Sequence, residues 1–194
     1  MVANDSTGNR GLLRDHGVRL CDGDLVLRPL TEQDWPTLLR WNNDSEVLYF
    51  TDSDEVVSRS MEEVQDIWRW VAQQAYCFMM ELDGQPIGEC WLQEMNIDRL
   101  IEMYQGQDCR RIDLCIGEKE FWNRGIGTRT IRLLTEFGFQ KEGADAIFGL
   151  VGGHNPRSKG AFEKVGYRLL QVVPEPEGVK AKISWDLIMT REEL

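Results

Sequence analysis

Polar and apolar residues alternate across residues 110–117, with Ile112, Leu114 and Ile116 on one face and Asp113 and Cys115 on the other, which predicts a strand. Beyond it, Ile126, Thr130, Leu133, Leu134 and Phe137 recur at helical spacing, so a helix with one apolar face should lie on a sheet. A second helix is predicted from Asn155 to Val165, with Asn as N-cap, Pro156 in the first helical position and Gly166 as the stop. Upstream, residues 25–30 read as a strand, and Thr31 with Asp34 gives a capping-box start to a helix carrying Trp35, Leu38 and Leu39. Ser60 and Glu63 repeat that signal ahead of Val64, Ile67, Trp68 and Val71. Residues 76–82 and 86–94 around Asp83-Gly84 form the clearest hairpin, and strands follow at 146–151, 167–173 and 181–189. In the last strand Ile183, Trp185, Leu187 and Met189 make the apolar face. Residues 42–59 and 95–108 read as polar stretches between elements. The order β-α-α-β-β-β-α-β-α-β-β predicts an α/β (α+β) fold, a mixed sheet covered by helices.

Composition narrows the class. Residues 1–23 are polar and glycine-rich with no sustained hydrophobic run, so they read as an N-terminal arm and not a signal peptide, leaving 24–194 as one domain. A chain of 194 residues with 42% hydrophobic content can supply one core. No apolar run is long enough for a membrane helix, and the expected location is the cytoplasm. The net charge of -11 argues against a nucleic-acid partner and leaves two readings open, a cationic partner or simple solubility. The five cysteines (Cys21, Cys77, Cys90, Cys109 and Cys115) form no C-x-x-C pair, so neither a disulfide frame nor a metal site is expected.

The chemistry centres on Phe121-Trp122-Asn123-Arg124-Gly125-Ile126-Gly127-Thr128, between the strand and the helix. Two glycines one residue apart let backbone approach a ligand, and the following helix aims unpaired NH groups into the turn, which makes an anion cradle. A dinucleotide fingerprint fails because Thr130 stands where its third glycine belongs, and a P-loop fails because no Lys follows Gly127. A plain glycine-containing turn stays open as the alternative.

These pieces, in this order, resemble the GNAT superfamily of N-acetyltransferases from about residue 25 to 190. The family pattern Q/R-x-x-G-x-G/A falls on Trp122 to Gly127, with Trp122 where Gln or Arg is usual. Asn155, Ser158, Glu163, Lys164, Gly166 and Tyr167 match a second family pattern. The resemblance implies a central, mostly antiparallel sheet flanked by helices, and acetyl-CoA as cosubstrate without a metal. It implies cofactor contacts at Leu114, Cys115, Ile116, Trp122, Asn123, Arg124, Gly125, Ile126, Gly127, Thr128, Asn155 and Ser158.

Residues 111–118, taken with that turn, resemble the aminoglycoside 6′-N-acetyltransferase branch, where the Asp matching Asp113 is the proposed base. Near the turn and opposite the apolar stripe, a carboxylate can accept a proton or orient an amine; the other reading of Asp113 is a strand Asp paired with Arg110 or Arg111. Phe162 stands where many GNAT enzymes carry the Tyr that protonates the departing thiolate, and the Asp-Pro common in aminoglycoside-modifying relatives is replaced by Gly152-Gly153-His154. Tyr49, Asp52, Glu94 and Asp113 are the substrate-binding candidates, beside Asp54, Glu55 and Glu102, whose charges otherwise read as solvated loops. The leading expectation is an acetyl-CoA-dependent N-acetyltransferase, monomer or homodimer, acting on a small cationic amine. An aminoglycoside 6′-amino group, hence antibiotic resistance, is its first choice. The alternatives are a GNAT enzyme for a protein N-terminus or another amine metabolite, and a non-catalytic acyl-CoA-binding domain.

Overall fold

A computed structural model describes Leu13 and residues 16–51 and 58–194. One eight-stranded sheet runs in the order β1-β2-β3-β4-β5-β6-β8-β7. Its strands are β1 (Leu20–Asp22), β2 (Leu25–Pro29), β3 (Ala75–Leu82), β4 (Gln85–Glu94), β5 (Cys109–Ile116), β6 (Ala146–Gly152), β7 (Arg168–Pro174) and β8 (Ile183–Thr190). Every neighbouring pair is antiparallel except β5 and β6, which the helix α5 (Ile126–Gln140) connects as a crossover. That parallel pairing runs only from Cys109 opposite Ala146 to Ile112 opposite Gly149. Beyond it β5 continues to Ile116 and β6 to Gly152, so the sheet parts between them while β4 stays paired to β5 from Gly88 to Glu94.

Helix α5 and α6 (Pro156–Val165) cover one face through Ile126, Ile131, Leu134, Phe137 and Phe162. On the other face α1 (Trp35–Trp41) and α3 (Met61–Val71) bury Trp35, Leu38, Trp41, Val64 and Trp68 against Cys77 and Met79. Capping decides where these helices begin. Ser60 accepts the Glu63 backbone NH while the Glu63 carboxylate accepts from the Ser60 NH at 2.6 Å, and the Asp34 carboxylate takes the Thr31 NH at 2.8 Å. Asn155 caps α6 through the Ser158 NH, and Gly166 closes it in the left-handed region at φ 118°.

Three elements go beyond the sequence expectation. The end of the expected arm forms β1, which pairs Leu20 with Leu27 and Asp22 with Leu25, so the folded unit begins before residue 24. Within the acidic stretch lies α2 (Ser45–Thr51), capped by Asp44, whose carboxylate accepts the Glu46 and Val47 NH groups. Within the second polar stretch lies α4 (Asp98–Met103), seated by buried Leu100 beside Phe148 and Ile188. The last strand is also buried on both faces where α4 covers it: Ile188 is buried, and Asp186, with no exposure, takes two hydrogen bonds from Arg99 at 2.7 and 2.8 Å and one from Gln171. No helix among the described residues is long and apolar enough to cross a membrane.

Candidate active site

Where β5 and β6 part, the sheet opens into a cavity of about 460 Å³. Its walls include Leu114 and Ile116 from one face of β5 and Cys115 from the other, so the space passes around the strand end and joins the two sides of the sheet. Next to the parting, Gly149 of β6 makes room for the Phe162 ring, which a Cβ there would meet at 2.5 Å. Phe162 is itself buried against Tyr167.

The glycine turn forms one end of the cavity. Asn123 and Gly125 take left-handed φ values of 60° and 78°, and Gly125 is the N-cap of α5 with no side-chain hydrogen bond to cap it. The Arg129 NH makes the first helical bond, to the Gly125 carbonyl, so the NH groups of Ile126, Gly127 and Thr128 precede any intrahelical partner. Trp122, in the position where the family pattern departs, donates its indole NH to the Ile116 carbonyl at 2.7 Å and ties the turn back to β5. A Cβ on Gly127 would make only ordinary contacts, 3.5 Å from Leu114 and 4.0 Å from Ala161. Protein packing therefore does not demand glycine there, whereas a ligand lying against the backbone would. Of the expected cofactor contacts, Leu114, Cys115, Ile116, Trp122, Asn123, Gly125, Ile126, Gly127, Thr128, Asn155 and Ser158 all line this space. Arg124 stands aside, its guanidinium 5.3 Å from the Phe121 ring centre.

The carboxylates are divided. Asp113 lies on the Cys115 face of β5 but not in the cavity wall, and its oxygens accept from Arg111 Nε and Nη2 at 2.7 and 2.6 Å and from Trp91 Nε1 at 3.0 Å. Glu89, opposite Cys115 in the register and 6% exposed, has a buried oxygen with no hydrogen-bond partner. Burial, and then the neighbouring Asp113 charge, raise its proton affinity well above the usual carboxyl range. Sequence reading missed Glu89 because a polar residue in an alternating strand reads as solvent-facing. Glu94 is five residues further along β4, its carboxylate 3.7 Å from Arg110 beside a separate depression, so it is not brought to the cavity. Tyr49 is 47% exposed on α2, and Asp52, Asp54 and Glu55 lie outside the described residues.

Helix α2 roofs the cavity with Val47, Phe50 and Thr51. Its Tyr49 carbonyl accepts from Lys180 Nζ at 2.9 Å. The Tyr49 ring meets His154, whose buried ring nitrogens are unpartnered and whose pKa is lowered by burial and by the Lys180 ammonium. Over the cavity mouth, the Arg157 guanidinium sits 4.1 Å from the Phe50 ring centre and 4.6 Å from that of Trp122.

Comparison with known proteins agrees with this geometry. Residues 24–168 match the family model for the acetyltransferase (GNAT) domain. Mouse alpha/beta-tubulin-N-acetyltransferase 9 is 22% identical over 152 residues, which are 74% of this chain and 61% of that protein, so the chain spans about three fifths of that relative. The solved structure of AAC(6′)-Ib with ribostamycin and coenzyme A superposes with a TM-score of 0.76 at 22% identity, covering 88% of this chain and 95% of that one. Spermidine N-acetyltransferase from Vibrio cholerae, with CoA and spermine, gives a TM-score of 0.72 at 15% identity over 89% and 98% of the two chains.

Proposed function

Because the chain belongs to the GNAT acetyltransferase family, and so is an N-acetyltransferase, we propose that it carries the acetyl group of acetyl-CoA to a primary amine of a small cationic acceptor, an aminoglycoside 6′-amino group being the first choice. One observation carries this reading: a single cavity runs from the uncapped start of α5 along the end of β5 to Cys115, whose register partner on β4 is Glu89. The NH groups of Ile126, Gly127 and Thr128 suit a diphosphate, and the unpaired strand edges beyond Ile112 suit an extended pantetheine arm. No group of the thioester is held by a metal in this scheme.

Glu89 is assigned the proton that the ammonium must lose, because burial and the Asp113 charge raise its proton affinity above that of an ordinary carboxyl. Asp113, the base expected from the sequence, supplies the fixed negative charge beside it and attracts the cation; its oxygens are already engaged by Arg111 and Trp91. The freed amine attacks the carbonyl carbon, an N–C bond forms as the C–S bond breaks, and the second proton that the nitrogen sheds passes through water to the departing thiolate. Phe162 has no proton to offer it.

The neighbours that hold ribostamycin and spermine support an oligoamine acceptor, and the net charge of -11 agrees. The tubulin-acetylating relative favours a second reading, a protein N-terminus. Thiol release from acetyl-CoA, measured against aminoglycosides, polyamines and peptides, separates them. Turnover with an aminoglycoside at the lowest KM supports the first choice, peptide turnover alone supports the second, and no thiol release with any amine would refute the reading.

A further inference from the structure

Arg157 occupies a position that local physics disfavours. It stands second in α6, where the positive end of the helix dipole repels a cation, and its five N–H donors meet no hydrogen-bond acceptor among the described residues. What holds it are two aromatic faces, Phe50 from the roof helix α2 and Trp122 from the glycine turn, whose own rings meet edge to face at 5.7 Å. All three residues line the cavity. The stack therefore joins the roof to the cofactor turn across the mouth, through a guanidinium whose hydrogen-bonding capacity is unused.

We propose that Arg157 is a latch released by the cofactor's diphosphate: it clamps Phe50 to Trp122, and a diphosphate in the turn draws it off the rings. A phosphate oxygen pair offers two charge-assisted hydrogen bonds where the rings offer none, and the incoming charge also relieves the dipole conflict at the start of α6. Phe50 then loses its cation–π tie and keeps the Asn155 Nδ2 bond to its carbonyl, while α2 keeps the Lys180 bond to the Tyr49 carbonyl. Phe50 and the diphosphate are thus competitors for one cation, although both belong to the same cavity. This rests on the reading of the cavity as a CoA site.

Competition has an unusual sign that simple packing does not share. Calorimetric titration with CoA of the wild type, Phe50→Leu, Arg157→Gln and the double variant reads it, with far-UV circular dichroism confirming that each is folded. Phe50→Leu is expected to tighten CoA binding about three- to tenfold, the scale of one cation–π contact. Arg157→Gln is expected to weaken it about tenfold, the scale of one charge-assisted contact, and to abolish the gain from Phe50→Leu. If Arg157→Gln does not fold, Arg157→Lys, which keeps the charge without the planar fork, should still bind more weakly than wild type and reduce that gain. Equal weakening by Phe50→Leu in both backgrounds, or unchanged affinity in Arg157→Gln, would overturn the latch and leave the CoA site standing. Absence of heat in all the proteins would remove the CoA site and the latch with it.

Discussion

Glu89 is the residue on which most of the proposed chemistry turns, and its setting makes two separable demands. Its folded-state proton affinity is raised, so its contribution to stability is full below the unfolded carboxyl value of about 4.3 and is lost as pH rises through the raised folded value. Glu89→Gln cannot ionise and escapes that loss. Its melting temperature relative to wild type should therefore improve between pH 4 and pH 9, by calorimetric scanning, while its turnover falls by roughly 10²-fold or more. A constant difference across that range would mean that Glu89 titrates normally. Asp113→Asn makes the complementary case: without the neighbouring charge, the acid limb of the rate profile should move to lower pH.

Among the elements, those with several buried positions were legible and the short ones were not. The capping boxes, the Asn155-Pro156 start and the Gly166 stop mark helix ends by local chemistry, and the alternation in β5 marks its two faces, so these matched the structure. Helices α2 and α4 have seven and six residues, and β1 has three. Isolated helices of that length are marginal in water, so tertiary contacts hold them and periodicity barely registers. The turn and most of its wall were readable as a pattern, whereas Phe50 and Arg157 enter the wall, and Glu89 is buried beside it opposite Cys115, only through packing between distant segments. Helix α4 shows how such contacts act. Arg99→Ala would leave the unexposed Asp186 carboxylate with Gln171 alone, a loss of about 3 kcal/mol read from the urea midpoint, and α4 should loosen with it. A midpoint unchanged within error would show that the pair contributes little.

For the whole molecule, the boundary of the folded unit carries the testable consequence. Residues 20–22 add a strand to the sheet edge, and Arg129 in the first turn of α5 donates to Asp22 and Asp24 at 2.7 Å each. His16 also donates to the Cys77 carbonyl and meets the rings of Tyr76 and Phe78. A chain begun at residue 24 loses the strand, the histidine and one carboxylate beside the cofactor turn. Its melting temperature should fall by roughly 5 °C, and an unchanged value would show that those residues add nothing to the stability of the fold.

Gly127 and Gly160 both sit inside helices beside the cavity, and neither is crowded: the first would give a methyl group ordinary neighbours and the second none within 4 Å. Helical alanine at either place is intrinsically sturdier than glycine. A laboratory selection for heat endurance alone would therefore be drawn to these two sites early, and its winners at Gly127 would be durable vessels with a narrowed berth for their cargo.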